Sequence, residues 1–173
     1  YEPATGGQIG GDWYQLVDVG DDCVMAVVGD AVGHGMASAA AMGQLRASIA
    51  TAASTAIDPA VALDAVDRFA AHGADTLGAT VALALIERSG QLRHASAGHP
   101  PPVLVAGGAR ARLLDDGRRS LLGFQPAGPL SPSASCAFDV GDTLVLYTDG
   151  LVERRHESLD RGFQRLVDVV DEL

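Results

Sequence analysis

The sequence has few cysteines, a shortage of basic residues and no long uninterrupted hydrophobic run. Its two cysteines, Cys23 and Cys136, are far apart and form no CxxC pair. This spacing argues against a disulfide framework and favours the reducing cytoplasm. No run of about 18 apolar residues is available to span a bilayer, and no secretory signal is recognisable. We therefore predict a cytoplasmic protein that does not act at a membrane.

The charge balance excludes one class of partner. The chain carries 12 Lys and Arg residues against 22 Asp and Glu residues, a formal net charge of -10. Binding to nucleic acid phosphates needs clustered Lys and Arg, so a nucleic-acid partner is not expected. An excess of carboxylates suits a site that a divalent cation neutralises. Most acidic residues on any protein only solvate its surface, so the charge alone does not identify such a site.

The length favours one domain over residues 1–173, because 173 residues can bury a substantial core. Hydrophobic residues make up 47% of the chain, as in ordinary globular proteins. Since the chain begins at Tyr1 rather than methionine, we interpret it as a piece of a larger protein.

The segment around Asp30 has the most informative pattern. An apolar run at residues 24–28 ends at Gly29 and Asp30, and two further glycines precede an alanine-rich segment at residues 36–53. This order predicts a strand, a tight turn and a helix. Asp30 is thus expected where a buried strand reaches the surface, with glycines that leave room for a ligand. A carboxylate in that position is a candidate metal ligand.

A second aspartate is expected at the same end of the sheet. Residues 12–17 and residues 23–28 are both predicted strands, and the turn signal Gly20-Asp21-Asp22 lies between them. Two strands joined in this way pair as a hairpin. The hairpin would place Asp12 beside Asp30.

The rest of the chain alternates between helix and strand signals. Asp58 and Pro59 predict a helix start, with Val66 and Phe69 facing inward and Gly73 at the end. The other predicted elements are strands at residues 80–86, 92–97, 103–105, 112–114, 136–138 and 143–147, and a helix at residues 159–173. Residues 1–11 are predicted to be a loop, and residues 115–135 have no periodic signal.

A third aspartate repeats the arrangement at Asp30. The strand predicted at residues 143–147 runs into Thr148, Asp149 and Gly150. Carboxylate oxygens suit Mg²⁺ or Mn²⁺, and two such ions about 3.5–4 Å apart can clamp a phosphate for hydrolysis. Aspartates at strand ends are also common turn residues, so the pattern alone leaves both interpretations open.

Four segments occur in a specific order: GGDWY at residues 10–14, GDAVGHG at 29–35, AGHPP at 97–101 and LYTDGLVE at 146–153. Together they resemble the bacterial SpoIIE and RsbU-type serine phosphatases of the metal-dependent PP2C (PPM) class. The resemblance covers nearly the whole chain. It implies an α+β fold, the PP2C-like α-β-β-α sandwich, in which helices flank two central antiparallel sheets.

The resemblance also implies a metal site with two Mn²⁺ or Mg²⁺ ions. Asp30 would bridge the ions, Asp149 would ligate one of them, and Asp12 would contact metal directly or through water. Ala31 would contribute its backbone carbonyl. Asp30 and Asp149 are the implied catalytic residues, and a metal-bound hydroxide is the implied nucleophile.

The implied activity is that of a protein serine/threonine phosphatase in sigma-factor regulation and the stress response. Its implied substrate is a phosphorylated STAS-domain anti-sigma-factor antagonist. Sensory or kinase domains of the same parent protein are further expected partners.

Two departures from the family pattern keep a second hypothesis open. A further metal-binding aspartate is usual after the last helix, so we interpret the chain as truncated before its last strand or strands. Asp168 and Asp171 lie in the predicted helix and are not taken as substitutes. A candidate general-acid histidine of many eukaryotic relatives is replaced by Val32. The alternative is therefore a catalytically impaired phosphatase-like domain that binds a signalling partner.

Other readings of the glycine and histidine motifs are weaker. Residues 33–38 approximate a dinucleotide-binding G-x-G-x-x-G, but Ser38 replaces the third glycine and Asp30 would repel a pyrophosphate. His34 is expected to orient the turn or cap the helix. His99, beside three prolines, is expected to hold its loop by hydrogen bonds.

Overall fold

The computed structural model describes residues 10–55, 57–107, 110–124 and 132–172. The strands are β1 (Asp12–Asp18), β2 (Cys23–Asp30), β3 (Thr80–Glu87), β4 (Gln91–Ala97), β5 (Val103–Val105), β6 (Arg112–Leu113), β7 (Arg118–Arg119), β8 (Ala134–Ala137) and β9 (Thr143–Val145). The helices are α1 (Met36–Thr55), α2 (Pro59–Ala70) and α3 (Leu159–Asp171), with one 3₁₀ turn at Asp149–Leu151. Most of the predicted loop before β1 and residues 125–131 of the segment without periodicity lie outside the described residues.

The first sheet has the order β1-β2-β3-β4-β7, and β8 also pairs with β4. The predicted hairpin of β1 and β2 is confirmed, with Asp12 directly opposite Asp30 and Trp13 opposite Gly29. The Trp13 ring lies on Gly29, where a side chain would collide with it. Since a slip of one residue would move Trp13 to the other face of the sheet, this contact fixes the register of the pair.

Helices α1 and α2 cover one face of the first sheet. The helix predicted in the alanine-rich segment is confirmed as α1, and its Leu45, Ile49 and Ala53 are fully buried against the sheet. Helix α2 begins as predicted, with Asp58 accepting hydrogen bonds from the backbone N–H groups of the first turn. The prediction that Phe69 faces inward is wrong, since its side chain is 42% exposed. The buried stripe of α2 is centred elsewhere on the helix, and Phe69 lies at its edge.

The second sheet has the order β6-β5-β9 and stacks on the other face of the first. Leu92 of the first sheet and Leu104 of the second belong to the cluster that fills the space between them. Helix α3 covers the outer face of the second sheet through Val167 and Val170. These layers form the α-β-β-α sandwich that the resemblance implies.

Two further local differences concern the strands. Strand β7 lies in the segment that was expected to have no regular structure, and it pairs with β4 in parallel through two residues. Strand β9 ends at Val145, two residues earlier than predicted. Among the helices that the structure describes, none has the length and hydrophobicity needed to cross a membrane.

Candidate metal centre

Asp12 and Asp30 form a carboxyl pair at one end of the first sheet. They are directly opposite each other in the β1–β2 register, and their side chains share a hydrogen bond. Residues opposite each other in an antiparallel pair have Cβ atoms about 4.5–5.5 Å apart. The hairpin therefore places Asp12 beside Asp30, as predicted, and their side chains interact.

Below about pH 6, Asp30 holds the proton of this pair. Burial raises the pKa of Asp30 to about 6, and the charges of Asp12 and Asp149 contribute in the same direction. Burial also raises the pKa of Asp12, and hydrogen bonds from Thr148 and Asp30 oppose that rise. Two carboxyl groups in one partly buried corner cannot both ionise easily, so the protonated Asp30 donates to the Asp12 carboxylate.

Asp149 reaches the pair from the second sheet. The chain leaves β9 through the buried Tyr147, passes Thr148 and begins the 3₁₀ turn at Asp149. Thr148 Oγ1 donates a hydrogen bond to Asp12 Oδ2 at 3.3 Å. The Asp149 side chain is exposed, and its charge acts on Asp12 and Asp30. The fold thus places Asp149 within electrostatic range of the Asp12–Asp30 pair, although it is far from both in sequence.

His99 joins the two sheets beside these aspartates. Its Nδ1 lies 2.7 Å from Thr80 Oγ1, and its Nε2 lies 3.0 Å from the Tyr147 carbonyl oxygen. Thr80 is the β3 residue directly opposite Asp30. Burial lowers the pKa of His99 to about 4, so the ring is neutral at physiological pH. Hydrogen bonding by His99 was expected from the sequence, but its position between the two sheets was not.

Gly11 lies directly against Asp30 and the Ala31 carbonyl. The backbone N–H of Ala31 donates to the Gly11 carbonyl at 3.1 Å. A Cβ atom on Gly11 would lie 2.7 Å from Asp30 Oδ1 and would collide with the Ala31 carbonyl oxygen. Ser38 Oγ, in α1, contacts the same carbonyl at 3.5 Å. The predicted backbone ligand and the predicted bridging carboxylate therefore both pack closely against Gly11, where there is no room for a side chain.

Sequence reasoning missed several residues that shape this site. Thr148 and Thr80 are hydroxyl residues next to, or opposite, the predicted aspartates, and that proximity was the available signal. The two C-terminal acids have other partners: Arg110 pairs with Asp168 at 3.6 Å and with Asp171 at 3.4 Å. His34 is exposed on the glycine turn.

The donor set fits a divalent cation. Carboxylate and carbonyl oxygens are the ligands that Mg²⁺ and Mn²⁺ prefer, and a cation would relieve the repulsion that raises the pKa of Asp30. Within the described part of the chain, no three His, Cys, Asp or Glu side chains are already grouped to hold an ion. Asp12 and Asp30 share a hydrogen bond, and Asp149 is within electrostatic range of the pair.

The raised pKa of Asp30 predicts how the metal-free chain responds to pH. The folded state keeps this proton up to about pH 6, whereas the unfolded chain releases it near pH 4. The folded state binds more protons in that interval, so stability is lost as pH rises through about 6. Because Asp30 is partly exposed, we expect a loss of about 1 kcal/mol rather than the full ~3 kcal/mol. Urea unfolding in EDTA at pH 4 and pH 7.5, beside Asp30→Asn, isolates this contribution. Identical pH profiles for the two proteins would contradict it.

The family comparison agrees with the geometry. The family model of stage II sporulation protein E (SpoIIE) matches residues 20–173. The matched region includes Asp30 and Asp149, and it begins after Asp12.

Solved structures provide the same assignment. The RsbU and RsbW domains of a Mycobacterium tuberculosis protein are 34% identical with a TM-score of 0.84, and the match covers 99% of this chain and 48% of that one. The PP2C phosphatase domain of SpoIIE from Bacillus subtilis, with a fragment of its regulatory domain, is 18% identical with a TM-score of 0.78 and coverages of 97% and 48%. RsbX in complex with magnesium is 16% identical with a TM-score of 0.65 and coverages of 93% and 80%.

At 18% and 16% identity, the second and third likenesses establish the fold alone. The chain spans about half the length of the first two structures. The family match, the sandwich fold and the first structure agree. The chain belongs to the SpoIIE family and is a phosphatase domain of the SpoIIE/RsbU type with the PP2C fold.

Proposed function

We propose that this domain hydrolyses phosphoserine or phosphothreonine on a signalling protein, in a cytoplasmic reaction that depends on Mn²⁺ or Mg²⁺. One observation carries the proposal: Asp12 and Asp30 share a hydrogen bond at one sheet end, within electrostatic range of Asp149 from the other sheet. Neither a turn role nor a capping role requires an aspartate from the second sheet to lie within electrostatic range of a carboxyl pair on the first.

The residues have distinct roles in this proposal. Asp30, Asp12 and Asp149 would hold a pair of cations, with the Ala31 carbonyl as a further ligand. When bound, the cations neutralise phosphate charge and lower the pKa of a water so that it can attack phosphorus. Asp30 must release its proton to become a ligand, and Thr148 keeps the Asp12 carboxylate oriented. The magnesium in the RsbX structure supports a divalent cation for this chain.

The proposed substrate is a phosphorylated STAS-domain anti-sigma-factor antagonist, whose dephosphorylation would act in sigma-factor regulation and the stress response. The Mycobacterium tuberculosis relative supports a signalling partner, because it carries RsbU and RsbW domains in one chain. Sensory or kinase domains of a parent protein are further proposed partners. The formal charge of -10 supports a protein partner rather than a nucleic acid.

The second candidate function is a phosphatase-like domain that binds its partner without turnover. It is favoured by one observation: no three acidic side chains within the described ranges are already grouped to hold an ion. Such a domain would bind the phosphoprotein and leave the phosphate in place.

A phosphate-release assay separates the two functions. The chain is mixed with a STAS-domain protein carrying one phosphoserine, with Mn²⁺ or with EDTA. We expect release of inorganic phosphate that requires Mn²⁺ and is lost in Asp149→Asn. Saturable binding of the phosphoprotein without release, in the presence of Mn²⁺, would instead support the non-catalytic function.

A further inference from the structure

We propose that His99 is a positioning residue that sets the separation between Asp30 and Asp149, and thereby the affinity of the carboxylate site for divalent cations. This inference rests on the proposed function. Its geometry involves residues that the sequence motifs did not assign to the site.

His99 lies at the point where the chain crosses between the sheets. Gly98 follows β4, has a φ of 62° and forms an isolated bridge with Val81 beside the start of β3. The backbone N–H of Gly98 also donates to the Arg119 carbonyl at 3.0 Å. Three prolines then lead into β5 of the second sheet. His99 is only 1% exposed, so its ring is held in the interior at this crossing.

The two ring nitrogens of His99 contact different parts of the site. One bonds to the strand beside Asp30, and the other bonds to the segment that carries Asp149. A carbonyl oxygen only accepts, so Nε2 carries the hydrogen and donates to the Tyr147 carbonyl. In the neutral ring, Nδ1 then accepts from the Thr80 hydroxyl. Thr80 is directly opposite Asp30 in the first sheet, and Tyr147 is two residues before Asp149 on the segment from the second.

The rigid imidazole of His99 therefore fixes the separation between Asp30 and Asp149. The bond to Tyr147 holds the segment that carries both Thr148, which donates to Asp12, and Asp149. The bond to Thr80 holds the ring against the strand next to Asp30. If the bond to Tyr147 were lost, the segment with Asp149 could move away from the Asp12–Asp30 pair. Partners of this indirect kind usually alter metal affinity by about 10-fold to 100-fold.

Two substitutions of His99 test whether the hydrogen bond to Tyr147 is required, or whether any side chain at this position is sufficient. The amide nitrogen of His99→Gln can reach the position of Nε2 and donate to Tyr147, whereas His99→Asn reaches only the position of Nδ1. The control is His94→Asn, since His94 is also buried, at 5% exposure, and lies on the preceding strand β4. His94 is about five residues from His99 along the strand and turn, which is roughly 15 Å of extended chain.

The test is a calorimetric Mn²⁺ titration of the parent and these variants, with thermal unfolding of each metal-free protein. We expect His99→Asn to bind Mn²⁺ about 10-fold to 100-fold more weakly, and His99→Gln to bind within about threefold of the parent. His94→Asn is expected to lose thermal stability and keep the parent affinity. If His99→Asn does not fold, Thr80→Val removes the other bond of the bridge while keeping the side-chain shape, and it should weaken Mn²⁺ binding too.

A nitrogen-15 NMR spectrum of the metal-free parent supplies a readout that needs no cation. The His99 ring should show the Nε2–H tautomer, and a proton on Nδ1 instead would overturn the inference.

The outcomes distinguish this inference from the proposed function. Parent-like affinity in His99→Asn, or an equal loss in His99→Asn and His94→Asn, would overturn the positioning role and leave the metal site intact. A parent chain that binds no Mn²⁺ would overturn the proposed metal site, and the role of His99 with it.

Discussion

Replacing Asp30 by asparagine is expected to abolish Mn²⁺ binding and to lower phosphate release by at least ~10³-fold, about 4 kcal/mol of transition-state stabilisation. An amide keeps the size of the side chain but removes the negative charge that the cations require. The same change should raise the thermal stability of the metal-free chain at pH 7.5, because it removes the ionised group that Asp12 and Asp149 repel. Calorimetry, a phosphate assay and thermal unfolding measure the three effects.

The matched control for Asp30→Asn is Asp18→Asn, at the other end of the same hairpin. It changes the net charge equally and keeps an oxygen that can accept from the Gly20 N–H, a bond of 3.1 Å in this structure. This variant should match the parent in metal binding and turnover. Turnover by Asp30→Asn within tenfold of the parent would contradict the role proposed for Asp30.

Gly11→Ala is expected to weaken Mn²⁺ binding and turnover by at least ~10²-fold, although it changes no ligand. The added Cβ would collide with the Ala31 carbonyl oxygen and lie 2.7 Å from Asp30 Oδ1, so backbone must shift. Overpacking of this kind costs about 1–3 kcal/mol of folding free energy. Mn²⁺ calorimetry and urea unfolding measure both effects.

The control is Gly43→Ala, within α1, where an added Cβ has nothing within 4 Å. It should stabilise the helix by up to about 1 kcal/mol and leave Mn²⁺ affinity unchanged. Parent-like affinity in Gly11→Ala would show that the close approach of Gly11 to Asp30 and Ala31 is not needed for metal binding.

Local patterns in the sequence were sufficient for the first half of the site. The alternation in β1 and the turn after it determine the hairpin register, so Asp12 and Asp30 could be paired without knowledge of the fold. The start of α2 was likewise predictable, because the cap at Asp58 is made by neighbouring residues. Phe69 was misassigned because a helical stripe has an edge whose burial depends on the neighbouring elements.

The second half of the site depends on contacts between distant segments. The strand-then-aspartate pattern identified Asp149, but only the stacking of two sheets brings it near Asp30. The bonds of Thr148 to Asp12 and of His99 to Tyr147 span 136 and 48 residues, and no local pattern reports them. The two-residue strand β7 is too short to have a periodicity. The ligand roles of the aspartates came from the family resemblance, and they stay predictions.

The hydrogen bond between Asp12 and Asp30 has a consequence for the proposed enzyme in the cell. The proton and the cation occupy the same oxygens, so a hydrogen ion acts as a competitive inhibitor of metal loading. Below about pH 6, each tenfold rise in proton concentration should demand up to tenfold more free Mn²⁺ for half-saturation. A fall in pH below about 6 would therefore lower the activity of such a phosphatase at constant metal supply, without any dedicated inhibitor protein.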